Sequence, residues 1–160
     1  MVNDHLNPDS WRPVPAALAG PVLYPWDAGP AVIELQELLN AHGFRLRLDG
    51  DFGAKTETAV GEFQRRYGLR VDGIVGPQTW AVLKQKVQPG TRVLKRGHTG
   101  ADVFQLQWLL QISGQQVLRD GILGAATEQA LIEFQQKHKL KPDGIVDLIT
   151  WRMLRGRSLL

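Results

Sequence analysis

The chain has 160 residues, 43 % of them hydrophobic and 22 % charged, with 19 Lys and Arg against 16 Asp and Glu for a net charge of +3. That composition is globular and excludes an intrinsically disordered chain; the mild excess of base suits polyanionic surroundings, such as cell wall, nucleic acid or acidic headgroups, without choosing among them. There is no cysteine, which excludes disulfides, thiolate nucleophiles and cysteine metal sites, and no apolar run approaches the ~18 residues of a membrane span.

Residues 1–21 come first, and six of the nine prolines fall within residues 1–30. "WRPVPAALAGPVLYPW" reads as an extended, proline-stiffened arm, with Trp11 and Trp26 as anchors that pack across the rest of the chain. The opening "MVNDHLNPDSWRPVP" has no basic stretch followed by an apolar run, so it shows no export signal.

The first helix is expected in "PAVIELQELLNAHG", where Val32, Leu35, Leu38 and Leu39 form one apolar stripe. Pro30 suits its first position and Gly43 its end. A second helix is expected from Ala54 to Tyr67, with Ala59, Val60, Phe63 and Tyr67 on one face. A third, short one starts at Pro77 and carries Trp80 and Leu83. A short extended pair near Leu46–Leu48 is the one candidate for β structure. Between the helices, the Asp-Gly pairs at 49–50, 72–73, 120–121 and 143–144 are turn signals. Gly53 and Gly76 are expected as N-caps, with Thr56 and Thr79 placing hydroxyls near the free N–H groups of the first turn. Ile74-Val75 and Ile145-Val146 are expected to tuck apolar side chains under the helices.

Then the chain repeats itself. Residues 22–83 align with residues 93–154 at an offset of 71 without a gap, and 27 of the 62 positions are identical. "VDGIVGPQTW" at 71–80 answers "PDGIVDLITW" at 142–151. Asp147 replaces Gly76 and is the better helix cap. Units of about 60 residues can fold alone. The expected fold is therefore all-α, with two tandem three-helix domains at 22–83 and 93–154. A short linker spans 84–92, the Pro-rich arm precedes them at 1–21, and a tail closes the chain at 155–160.

The ordered elements Leu-Gln, Asp-Gly-x-Phe-Gly, Thr, Phe-Gln, Asp-Gly-Ile-Val-Gly and Thr-Trp resemble the peptidoglycan-binding domain 1 family of three-helix modules. The resemblance covers both copies. It implies recognition of bacterial peptidoglycan, by glycan or stem peptide, without catalysis. It also implies a place in the cell wall, periplasm or extracellular space, and a cell-wall hydrolase as a possible companion. The candidate ligand-binding residues are Gln36, Asp49, Asp51, Phe52, Gln64 and Arg66. Phe52 lies between glycines in a loop, where a half-exposed ring can stack on a sugar; core packing competes with that reading. Gln36 and Gln64 can bond a ligand amide or hold loop backbone, and Asp49 can accept from a ligand or form its turn. Arg66 can meet a peptide carboxylate or face solvent. Leu123, Gln115 and Asp147-Leu148 replace Phe52, Phe44 and Gly76-Pro77 in the second copy, so the first copy is expected to carry most of the binding.

Enzymatic readings fail on chemistry. His5, His42, His98 and His138 occur singly, so no metal site is expected, and no cofactor is implied. Glu57, Glu62, Glu128 and Glu133 lie on exposed helical positions and not across a cleft. No helix is rich enough in Arg and Lys to read nucleic acid. The alternative to wall binding is a helical protein-interaction scaffold that kept the fold and lost the ligand.

Overall fold

The computed structural model describes residues 15–158, with side chains from 16 to 156; Trp11 lies outside them. The chain divides into two compact units, Leu18–Val87 and a second built from Gln88 onward.

The first unit follows a single turn of helix, α1 (Pro15–Leu18), and holds α2 (Pro30–Ala41), α3 (Ala54–Arg66) and α4 (Pro77–Gln85). Each helix turns its apolar stripe inward. Val32, Leu35, Leu38 and Leu39 of α2 meet Val60 and Phe63 of α3 and Trp80 and Leu83 of α4, and all are fully buried. Tyr67 caps α3, half-buried, with its ring centroid 4.6 Å from that of Phe63. Gly53 and Gly76 are the N-caps of α3 and α4, as their place before each helix predicts.

The arm differs from its sequence reading. Among its described residues, Pro15–Leu18 are helical and residues 19–21 lie along the first unit. Trp80 Nε1 donates to the Pro21 carbonyl at 2.7 Å. A Cβ on Gly20 would stand 2.7 Å from the Trp80 ring, so only glycine lets the backbone lie that close to the indole. Leu23 pairs with Val75 in an isolated bridge. Trp26 is not an anchor: it is 79 % exposed. The expected linker is also displaced. Lys84 is buried, donates to the Ala19 carbonyl and lies 3.8 Å from Glu34, while Val87 is buried too. These residues close the first unit.

Leu18–Val87 expressed alone is therefore expected to be helical and to melt cooperatively. A fragment starting at residue 22 removes the acceptors at Ala19 and Pro21. Two partly buried bonds at about 1 kcal/mol each should lower its melting temperature by roughly 10 °C. A random-coil Leu18–Val87 beside a folded full-length chain would show that the units depend on one another.

The second unit repeats the plan with α5 (Ala101–Ile112), α6 (Ala125–Lys137) and α7 (Leu148–Ser158). Its core holds Val103, Leu106 and Leu110, then Leu131 and Phe134, then Trp151 and Leu154, with Leu94, Leu123 and Val146 from the intervening segments. Asp147 caps α7, its Oδ1 accepting the Thr150 N–H at 2.9 Å. One feature has no counterpart in the first copy. Arg92 donates to both oxygens of buried Asp102, at 2.8 and 3.0 Å, and to the Thr99 carbonyl at 2.9 Å. The first copy carries Pro21 and Ala31 at those positions.

The expected pair near Leu46–Leu48 does not form. Asn40 takes both backbone groups of Leu46 with its side-chain amide instead, at 2.9 and 2.7 Å. Among the described residues, β pairing is confined to isolated bridges, Leu23–Val75, Ala28–Asp51, Leu94–Val146 and Thr99–Ile122.

Candidate functional site

Each module contains the same loop twice. "DGDFGAKT" at 49–56 and "DGIVGPQT" at 72–79 share one pattern, and "DGILGAAT" at 120–127 and "DGIVDLIT" at 143–150 repeat it. In all four the glycine after Asp has φ between 70° and 76°, the left-handed region that side chains avoid. In all four a buried glutamine from the preceding helix organises the loop.

Gln36 shows the wiring. Its Oε1 accepts the Gly50 N–H at 3.0 Å. Its Nε2 donates to Asp49 Oδ1 at 3.0 Å, the Asp51 carbonyl at 3.1 Å and Thr56 Oγ1 at 3.2 Å. Gln64 does the same with Gly73, Asp72, Ile74 and Thr79. Gln107 and Gln135 repeat it in the second unit. The glutamine thus satisfies a turn that would otherwise bury backbone groups unpaired. It also ties each helix to the first turn of the next, because the threonine belongs to that next helix. The threonine hydroxyls serve this link, not the N–H groups of their own first turn.

The candidate residues separate accordingly. Gln36 and Gln64 are 1 % exposed and hold loop backbone. Asp49 Oδ1 accepts the Asp51 N–H at 3.0 Å. That bond and the one from Gln36 hold the Asp49 carboxyl below the ordinary aspartate range. The Ile74 amide, with Gln64 behind it, does the same for Asp72. Both carboxylates stay charged while forming their turns, and both residues remain exposed, as does Asp51. Phe52 requires correction: it is 1 % exposed, and its ring is core. The signal was in the chain. Val75, Leu123 and Val146 occupy the same place in the other three loops, and all are fully buried; the isoleucines expected to tuck in beside the two valines do not, since successive side chains of an extended segment face opposite ways, leaving Ile74 half-buried and Ile145 exposed. Arg66 is exposed, donates to the His42 carbonyl at 3.0 Å and places its guanidinium 5.0 Å from the Phe44 ring centre.

Phe44 also lines a surface groove of about 340 Å³, with Arg45, Leu46, Lys55, Thr58 and Glu62. The second unit has a groove of about 470 Å³ at the corresponding place, lined by Gln115, Gln116, Ala126, Gln129 and Glu133. The two copies keep the position, the glutamate and the alanine three residues before it (Ala59 and Ala130), but Phe44 and Thr58 become Gln115 and Gln129. Arg45 and Lys55 become Gln116 and Ala126. A third groove, about 370 Å³, lies beside Gln64 and is edged by Arg70, Asp72 and Gln78. Sequence reasoning missed Arg45 and Lys55, which are unmatched between the copies.

Residues 28–83 and 99–154 both match the family described as "Putative peptidoglycan binding domain". The chain belongs to that family. The chain is 35 % identical over 159 residues to the N-acetylmuramoyl-L-alanine amidase CwlM of Mycobacterium tuberculosis, a match that takes in 89 % of this chain and 39 % of the amidase. It is 43 % identical to the zinc D-Ala-D-Ala carboxypeptidase of Streptomyces albus G over 36 % of this chain and 24 % of that protein. It is 34 % identical to a spore cortex-lytic enzyme of Bacillus cereus over 52 % of this chain and 32 % of that protein. The matches thus span well under half of these relatives. Both modules are peptidoglycan-binding domains, and the glutamine-braced loops are the part of the family pattern that builds them.

Proposed function

We propose that this chain is a non-catalytic, two-module anchor for bacterial cell wall, and that the wall polymer lies along the duplicated groove beside α3 and α6. One observation carries the reading: a groove recurs at the same place in both family-matched modules, although its lining has changed. Arg66 edges the first groove through Phe44, and Asp49 and Asp51 offer acceptors on the adjoining turn. Gln36, Gln64 and Phe52 act from below by fixing the turn. The cationic pair Arg45 and Lys55 suits stem-peptide carboxylates, whereas the amides of the second groove suit neutral peptide or sugar groups.

The lytic relatives support a role beside a wall hydrolase, carried on the same polypeptide or a companion one, and a place in the cell wall. Among the described residues no three His, Asp or Glu side chains gather as metal ligands. No described helix is long and apolar enough to cross a membrane.

The purified chain should co-sediment with insoluble sacculi and leave their turbidity unchanged. Absence from the pellet across a range of salt would reject wall binding, and clearing of the sacculi would reject the non-catalytic assignment.

A further inference from the structure

Two non-glycine residues among those described have positive φ: Trp26 at 76° and Lys139 at 56°. In the other copy each position is glycine, Gly97 at 98° and Gly68 at 68°. For Lys139, beside the C-cap of α6, the conformation is an ordinary helix ending. For Trp26 it is not, because a bulky residue is rarely found there.

The turn that holds Trp26 is built the same way in both copies. Trp26 N–H donates to the Phe52 carbonyl at 2.7 Å, and Gly97 N–H donates to the Leu123 carbonyl at 2.9 Å. Phe52 N–H returns to the Asp27 carbonyl at 2.9 Å, and Leu123 N–H returns to the His98 carbonyl at 3.0 Å. Asp27 Oδ2 accepts the Tyr24 N–H at 2.7 Å, where His98 Nδ1 takes the Lys95 N–H at 3.2 Å. The fold therefore makes this turn without an aromatic, and makes it with glycine at the strained position. The indole adds nothing to the core, being 79 % exposed, and Tyr24 two residues before it is 53 % exposed. The other large aromatics of this unit point elsewhere: Phe52, Phe63 and Trp80 are buried, and Phe44 and Tyr67 are half-buried. Backbone strain kept at an exposed residue is a mark of function.

We propose that Trp26, with Tyr24 beside it, is an aromatic platform that stacks on the C–H face of an amino sugar in the glycan strand. The proposal rests on the wall-binding reading and assigns the glycan contact to the first module. An indole offers a broad, electron-rich face to the slightly positive C–H bonds of a pyranose. The turn is rigid, being bonded at both ends to the Phe52 backbone, so little freedom is lost on contact. The bridge between Ala28 and Asp51 sets the exposed Asp49–Asp51 turn alongside, where carboxylates can accept from sugar hydroxyls. The second module has Lys95, Arg96 and Gly97 in place of Tyr24, Pro25 and Trp26, and no such face.

The test compares the full chain with Trp26→Gly and Trp26→Tyr on intact sacculi and on peptide-free glycan strands, with melting temperatures alongside. Trp26→Gly should weaken binding to both ligands by roughly tenfold, as expected for loss of a central aromatic contact. It should melt no lower than the parent, because glycine relieves the positive φ. Trp26→Tyr should keep most of the affinity. If the parent chain fails to pellet with sacculi, the wall-binding reading itself is lost. If the parent pellets and Trp26→Gly pellets equally, the platform is refuted and wall binding stands. Binding to sacculi but not to peptide-free glycan would move the contact to stem peptide and overturn the sugar assignment. A drop in melting temperature that accounts for the lost binding would make Trp26 a structural prop. Dimers that disappear in Trp26→Gly, with sacculus binding unchanged, would assign the face to self-association.

Discussion

Gln64→Ala should unfold the first unit. The side chain makes bonds to Gly73, Asp72, Ile74 and Thr79 at the join between α3 and α4, and it is 1 % exposed. Removing it strands the buried Gly73 N–H and Thr79 hydroxyl together with the Ile74 carbonyl. At about 1–3 kcal/mol per stranded group, the loss is roughly 3–9 kcal/mol. A unit of this size has about 3–10 kcal/mol in all, on the usual per-residue scale. Circular dichroism of the full chain should lose close to half of its helical signal in the absence of denaturant. A midpoint equal to the parent's would show that water or a shifted side chain replaces the bonds at little cost. Gln36, Gln107 and Gln135 hold the same position in their loops and should behave alike.

Phe52→Ala should cost about 3–5 kcal/mol and Leu123→Ala about 2–5 kcal/mol, both through core cavities. The sequence pointed to a different outcome for Phe52, a loss of wall binding by a folded protein. Burial reverses it. The informative variant is Phe52→Leu, which copies the second module and should cost less than about 1.5 kcal/mol. Sacculus binding by Phe52→Leu should match that of the parent. Lost binding at an unchanged melting temperature would return the ring to the ligand surface. The pair Phe52→Leu and Trp26→Gly separates the two aromatics, since one is expected to leave binding intact and the other to leave stability intact.

The helices were legible because their apolar residues recur at helical spacing and the stops are glycines. The duplication then showed where one unit ends and its copy begins. Phe52 was misleading because an aromatic between glycines looks like a loop side chain. Aligning the chain at an offset of 71 residues does not reveal the shorter repeat inside each module, and that repeat places Phe52 with Val75. The arm was harder. Its contacts are backbone carbonyls of Ala19 and Pro21 meeting Lys84 and Trp80, and carbonyls carry no residue identity. Arg92 with Asp102 was hidden for another reason. The pair exists in one copy, joins an irregular segment to a helix, and has no counterpart for comparison. Trp26 was noticed as an anchor, and the clue to its exposure was Gly97: a position that glycine fills in the duplicate does not need a side chain for packing.

The braced loops also divide what can vary from what cannot. Between the helix-capping residue and the threonine of each loop stand two residues: Ala54-Lys55, Pro77-Gln78, Ala125-Ala126 and Leu148-Ile149. All eight are exposed, and no two pairs are alike. The glutamine reads only the backbone of the turn, the aspartate and the threonine, so it is indifferent to what these pairs carry. Mutation there can make a surface cationic, amide-bearing or apolar while the frame beneath keeps its bonds. A duplicated module of this kind is free to diversify its outer chemistry piece by piece, and its two copies can drift toward different wall structures without either having to find a new fold.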